Sequence, residues 1–240
     1  MDKQNSNYRL VEIDQEEIAK WNIPASEAVA IQKRLASKVV LCSLPHRTQW
    51  IGAADVSYSK NSKRLFAAVI VCHLPGYSVV ERVVASAQVN FPYIPGLLSF
   101  RETPLLAEVF KHIEKKPEII ICDGQGLAHT RRFGLACHLG FLLNIPTIGC
   151  AKTKLVGDHK DVGPRKGQYQ SLYYRGERVG VVLRTRTGVK PIYVSPGHLS
   201  DITSSVRLVL RCCNTYRIPE PVRQAHFLAN EVRCDMDESA

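Results

Sequence analysis

The chain sets a carboxylate directly after an unbroken apolar run. Ile119, Ile120, Ile121 and Cys122 read as a short strand buried on both faces, and Asp123 follows at once, leading into Gly124, Gln125 and Gly126. Such a run belongs inside a sheet covered on both sides. Asp123 therefore stands at the rim of a core, where a charge needs a partner. A second acid, Asp55, has a similar place in Trp50–Tyr58, after Ile51, Ala53 and Ala54. If the two strands are neighbours, the acids meet at one end of the sheet. Facing carboxylates repel unless a divalent cation lies between them. Oxygen ligands favour Mg²⁺ or Mn²⁺ over zinc, and such ions stabilise the charge that develops when water attacks a phosphodiester. The other reading is that each aspartate caps backbone N–H groups at a strand end. Spacing alone leaves the two readings level.

The surrounding pattern is that of an α/β protein. Ala28, Ile31, Leu35 and Val39 recur near helical spacing, with Ser26 as the expected N-cap. Strands are predicted over 50–58, 65–74 and 77–89, with turns at Lys60–Lys63 and Pro75–Gly76, as an antiparallel meander. A helix is expected over 102–116, with Leu105, Leu106, Val109, Phe110 and Ile113 on one face. The strand ending at Cys122, a helix over 129–144 and a strand over 147–151 make a parallel crossover. Strands at 169–174, 179–185 and 192–195 and helices near 199–213 and 219–232 complete the chain. A meander followed by crossovers implies a mixed β-sheet flanked by helices, the plan of ribonuclease-H-like folds and of other α/β domains. The 240 residues, 45% hydrophobic, suffice for a sizeable core. With no linker or internal repeat, one domain is expected over 1–240, its ordered core spanning roughly 10–233.

The polar N-terminus and the lack of any apolar stretch near the ~20 residues of a membrane span point to a cytoplasmic protein with no membrane association. None of the eight cysteines forms a Cys-x-x-Cys pair, so they read as small hydrophobes rather than zinc ligands or disulfides. The net charge of +10 is concentrated. Residues 129–190 hold twelve Lys or Arg against three Asp or Glu, while the rest of the chain is close to balance. That is the footprint of a polyanion partner; a solubilising surface is the alternative.

A third stretch, Asn90–Pro104, carries two prolines around an apolar tip. Pro92 and Pro95 restrict a turn that presents Tyr93, Ile94 and Gly96, and a rigid apolar tip is suited to insertion between bases. Glu102 follows where a helix is expected to open, so capping is one role open to it. His129 reads as a helix cap or as a contact to phosphate or base, the latter favoured by loop placement and charge. His198 and Asp201 read as capping or loop-shaping residues.

Taken together, "GAADVSY", "PYIPGLLSFRE", "DGQGLAHTRRFGLACHLG", "IGCAKTKL", "KPIYVSPGHLSD" and "YRIPEPVRQAH" resemble the endonuclease V family, over most of the chain and in the right order. The resemblance implies a ribonuclease-H-like fold, Mg²⁺ dependence with Mn²⁺ able to substitute, and nicking of DNA one nucleotide 3′ of a deaminated base such as hypoxanthine. It implies Asp55 and Asp123 as metal ligands, Glu102 as a third acid, and His226 as the fourth active-site position. Pro92, Tyr93, Ile94, Pro95 and Gly96 match the strand-separating wedge. Gly124 and Gly126 match the loop lining the pocket for a flipped base, and His129 and Lys152 match positions that face DNA. Arg131 and Arg132, with Lys152 and Lys154, are expected to bind phosphates. Hypoxanthine bears N1–H and O6 where adenine has bare N1 and an amino group, so a complementary pocket rejects adenine by leaving polar groups unpaired. A monomer is expected. An endoribonuclease of inosine-containing RNA and a non-catalytic nucleic-acid-binding module are the alternatives; the acidic set Asp55, Glu102 and Asp123 weighs against the latter.

Overall fold

The structure, a computed structural model, describes residues 7–237. The expected loose ends fall partly at 1–6 and 238–240, outside the described residues. Among the described residues, nine strands form one mixed sheet in the order β1-β4-β3-β2-β5-β6-β9-β8-β7. The predicted meander is β2 (Trp50–Tyr58), β3 (Arg64–His73) and β4 (Ser78–Gln88), paired antiparallel. Outside it, β1 (Arg9–Leu10) adds a short parallel edge on β4.

The second half supplies β5 (Ile119–Cys122) and β6 (Thr147–Ala151), both parallel to β2, then β7 (Tyr169–Tyr174), β8 (Glu177–Leu183) and β9 (Ile192–Pro196), each antiparallel to its neighbours. All four residues of β5 are buried, as a strand clothed by helices on both faces requires. Helices α1 (Gln15–Ala19), α2 (Ala25–Ala36), α3 (Leu98–Lys111), α4 (Leu135–Leu143), α5 (Ile202–Arg211) and α6 (Glu220–Asp237) cover the sheet. The arrangement is the ribonuclease-H-like α/β plan.

The period-2 alternation of the strands divides the core in two. Ile51, Ala53, Ile119 and Ile121 pack with Val206, Val209, Val222 and Ala229 of α5 and α6. Ala54, Ile120 and Cys122 point the other way, to Phe100, Leu105, Leu106 and Val109 of α3 and Leu139 of α4. Each large side chain buried this way contributes about 1.5–3 kcal/mol. Six of the eight cysteines are buried and all eight are free thiols; burial raises Cys72, Cys137 and Cys212 to about 12.

Three element boundaries differ from expectation. Pro24, not Ser26, stands at the N-cap of α2, without a side-chain cap; its fixed φ admits the chain to the helix two residues earlier. Helix α3 begins at Leu98, which moves Glu102 out of the first turn. Helix α4 begins at Leu135, so 129–134 is a loop and His129 caps nothing. Asp201 does cap α5, accepting from the Ser204 N–H at 2.7 Å.

His138 on α4 is buried among Trp21, Phe100 and Phe133, with Nδ1 3.2 Å from Ser99 Oγ. Burial lowers its pKa to about 3, and burial together with Arg131 lowers His129 to about 4. Below the unfolded value of about 6.5 the unfolded chain takes up protons that the folded one refuses. The stability that these histidines retain above pH 6.5 is thus lost as the pH falls. Denaturant titrations at pH 7.5 and 5 are expected to show His138→Phe losing about 1–2 kcal/mol less than wild type over this range. Phe100→Ala is expected to cost about 3–5 kcal/mol in the same assay.

Candidate active site

Strand register brings the two aspartates together. On the parallel pair β2 and β5, Ala53 lies beside Ile121 and Ala54 beside Cys122. The next step sets Asp55 beside Asp123, one strand spacing of about 4.8 Å apart. By parity both side chains turn to the sheet face covered by α6. There His226 meets them: its Nδ1 lies 2.7 Å from Asp55 Oδ2. One ligand atom from each of Asp55, Asp123 and His226 lies within 4.8 Å of the others. Two carboxylates and an imidazole, half-buried and converging, are a donor set that fits a divalent cation.

The electrostatics are those of a negative charge crowded into a partly dry place. Burial, then the charge of Asp55, raises the pKa of Asp123, against the pull of Lys152, whose Nζ is 2.6 Å from Asp123 Oδ2. Burial outweighs that ion pair because the Lys152 side chain is itself 40% exposed and its charge is solvent-screened. The hydrogen bond to Asp55 raises His226, favouring its protonated form against burial. Asn230, one turn on, donates to the His226 carbonyl at 2.9 Å, has Nδ2 3.3 Å from His226 Nε2, and accepts from the Ser57 hydroxyl at 3.0 Å.

Glu102 stands apart from the three-residue cluster. It approaches from α3, is buried, and accepts a hydrogen bond from the Tyr58 hydroxyl. Burial, with Asp55 and Asp123 adding to it against the Tyr58 bond, pushes its pKa up to about 8. Asp55, Glu102 and Asp123 line one cavity of about 420 Å³. Tyr93, Ile94, Pro95 and Gly96 line it too, as do Gly124, His129 and Lys152.

The tip is exposed where it should be to meet a partner. Tyr93 is 69% exposed and Pro92 and Pro95 are exposed, while Ile94 packs against the core and anchors the turn. Gly126 is not a cavity residue. A Cβ there would lie 2.0 Å from the Pro196 carbonyl, so glycine lets the loop lie against β9, where its N–H donates to Ser195 Oγ at 2.8 Å. His129 lines the cavity yet is buried, with Nδ1 accepting from the Arg131 N–H at 3.2 Å. The Arg131 guanidinium turns inward to Gly96 and Gln32, and Arg132 pairs with Glu177. Lys152 and Lys154 remain at the exposed rim.

Sequence reading did not single out Tyr58, Asn230 or Gln32. Asn230 sits at i+4 from His226, which helical spacing reveals once His226 is suspected. Tyr58 lies three residues past Asp55, on the opposite face of its strand. Gln32 interrupts an apolar helical face.

Known proteins resemble this chain in sequence and in fold. The sequence model of the endonuclease V family matches residues 33–227. Endonuclease V of Gloeobacter violaceus is 47% identical over 216 residues, covering 89% of this chain and 88% of its own. That of Myxococcus xanthus is 43% identical over 94% of this chain and 97% of its own. Among solved structures, endonuclease V from Streptomyces avermitilis aligns with a TM-score of 0.87 at 35% identity, covering 95% of this chain and 99% of its own. A variant of Ciona intestinalis endonuclease V, solved with a 23mer DNA containing an inosine followed by a ribo-adenosine, aligns at 0.77 and 27%, covering 93% of this chain and 100% of its own. The chain belongs to the endonuclease V family of nucleases.

Proposed function

We propose that this nuclease is a divalent-cation-dependent endodeoxyribonuclease that nicks DNA one nucleotide 3′ of a deaminated base, hypoxanthine first among them. The observation that carries the reading is the Asp55–Asp123–His226 cluster opening onto a cavity whose other wall is the Tyr93 turn. The inosine-bearing DNA held by the Ciona relative supports the substrate class.

Asp55 and Asp123 would hold Mg²⁺, with Mn²⁺ as a substitute and His226 at the same centre. When bound, the cation supplies charge stabilisation for water attacking the phosphodiester. The remaining work falls to the chain itself. Lys152 and Lys154 offer positive charge to the strand as it enters. The Tyr93 ring enters the stack and fills the space a departing base leaves. Gly124, with no side chain, leaves room in the cavity for that base. His226, oriented by Asp55 and Asn230, stands where it can pass a proton to the leaving 3′ oxygen. The products are 3′-hydroxyl and 5′-phosphate ends. Their release starts a repair step in the cytoplasm, with the enzyme acting as a monomer.

The deciding assay is cleavage of one inosine-containing sequence as DNA and as RNA, with Mg²⁺ and with EDTA. Mg²⁺-dependent nicking of the DNA supports the reading. Cleavage of RNA alone makes the chain an inosine endoribonuclease, and no cleavage of either makes it a binding module. Asp123→Asn is expected to lower single-turnover cleavage at least about 100-fold, with lesion binding retained in a gel-shift assay. Mn²⁺ at about 100 times its Kd should stabilise the wild type by about 2.7 kcal/mol in a melt, and Asp55→Asn and Asp123→Asn should lose that gain. Tyr93→Ala is expected to slow cleavage of duplex deoxyinosine substrate more than single-stranded, because only the duplex charges the enzyme with unstacking and unpairing, about a few kcal/mol. Equal losses with a lowered melting temperature would mean that Tyr93 only packs.

A further inference from the structure

Gln32 lies on α2, outside the sheet and outside the segment matched by the family model. Its relative exposure is 0%, although it sits on the apolar face of an otherwise amphipathic helix. A buried amide is costly unless every polar atom is partnered. Here each one is. Nε2 donates to the Phe133 carbonyl at 2.7 Å and to the Gly96 carbonyl at 3.1 Å, and Oε1 accepts from Arg131 Nε. Arg131 Nη2 donates to the same Gly96 carbonyl at 2.7 Å.

The three partners belong to two separate pieces of the site, the Tyr93 turn and the 129–134 loop. Gly96 closes the Tyr93 turn. Phe133 precedes Gly134 and Leu135, which line the cavity. Arg131 belongs to the loop whose His129 also lines it, and its backbone N–H donates to that histidine. Gly96 has φ +81, and a Cβ there would lie 2.8 Å from Arg131 Nη2, so the turn is shaped to receive the guanidinium. The buried amide thus joins α2 to both the tip and the cavity wall, and Arg131 and His129, which also reach the Gly96 backbone, brace the joint.

We infer that Gln32, braced by Arg131, is a positioning residue that fixes the Tyr93 tip relative to the base cavity, so that opening the strands and receiving the base take place in one geometry. This rests on the reading of Tyr93 as a wedge. Gln32 touches no substrate atom; it acts through the turn. Loss of the clamp therefore harms the substrate that must be opened, and spares the one already open.

The experiment measures single-turnover cleavage of matched duplex and single-stranded deoxyinosine oligonucleotides by wild type, Gln32→Met, Tyr93→Ala and the double variant, beside thermal melts. Methionine keeps volume and removes the hydrogen bonds. Gln32→Met is expected to slow duplex cleavage about tenfold and single-strand cleavage less than about threefold. Because the clamp works through the tip, the double variant should cleave duplex no more slowly than Tyr93→Ala alone. Hydrogen exchange at residues 94–98 should quicken in Gln32→Met while that of β5 stays unchanged. If Gln32→Met does not fold, Arg131→Lys, which keeps the charge and loses the fork, should show the same duplex-weighted loss. Equal losses on both substrates, or additive losses in the double variant while Tyr93→Ala keeps its duplex bias, overturn the clamp and leave the wedge standing. No duplex bias in Tyr93→Ala overturns the wedge and the clamp with it.

Discussion

Two like charges on neighbouring strands are the constraint around which the molecule is arranged. The parallel register of β2 and β5 sets Asp55 beside Asp123 at the edge of a core, where their repulsion is weakly screened. Each element at that end of the sheet offsets part of the cost. β6 runs on into Lys152, which reaches Asp123. α6 crosses the same face and turns His226 to Asp55. What these leave unbalanced is affinity for a cation, and the proposed catalytic centre is built on that remainder of unrelieved charge. The covering helices and the apolar strands hold the two acids in place so that they cannot move apart.

The proposed chemistry and recognition are supported in different ways. Asp55 and Asp123 are on or directly after central strands, where position is set by the hydrogen-bond ladder and by packing on both faces. The Tyr93 turn and the 129–134 loop have no ladder of their own. Their relative position depends on side-chain hydrogen bonds to carbonyls, with Ile94 as the apolar anchor. A site that must admit a displaced base benefits from this division, because the cutting centre stays rigid while the receiving wall is held by bonds that yield at lower cost.

Much of this was legible in the sequence, because hydrophobic period sets both the elements and the faces they bury. The strand over 50–58 and the apolar run ending at Cys122 coincide with β2 and β5, and the two acids on them do converge. Boundaries were less legible where local chemistry competes with pattern. Pro24 takes the cap that Ser26 suggested, and the apolar residues before Leu135 belong to a loop held by backbone and side-chain hydrogen bonds rather than to a helix. Gln32 was not legible at all. Its three partners, Gly96, Arg131 and Phe133, lie 64 to 101 residues away, and no local rule distinguishes a polar residue on a helix face that is solvated from one that is clamped. The inward turn of Arg131 was hidden for the same reason: a count of charges says how many there are, not which ones are turned inward.

The buried thiols have a consequence for the conditions in which the protein can work. Nitrosating species that deaminate bases also attack cysteine, and they attack the thiolate. Burial raises Cys72, Cys137 and Cys212 to about 12, so the thiol form dominates at neutral pH. Cys122, directly before Asp123, is raised further still and is buried. The acidic centre is made of carboxylates and imidazole, groups with no reversible redox chemistry of their own, set on a core whose sulfur is kept protonated and out of reach. Burial thus holds the sulfur beneath this site away from reagents that act through the thiolate.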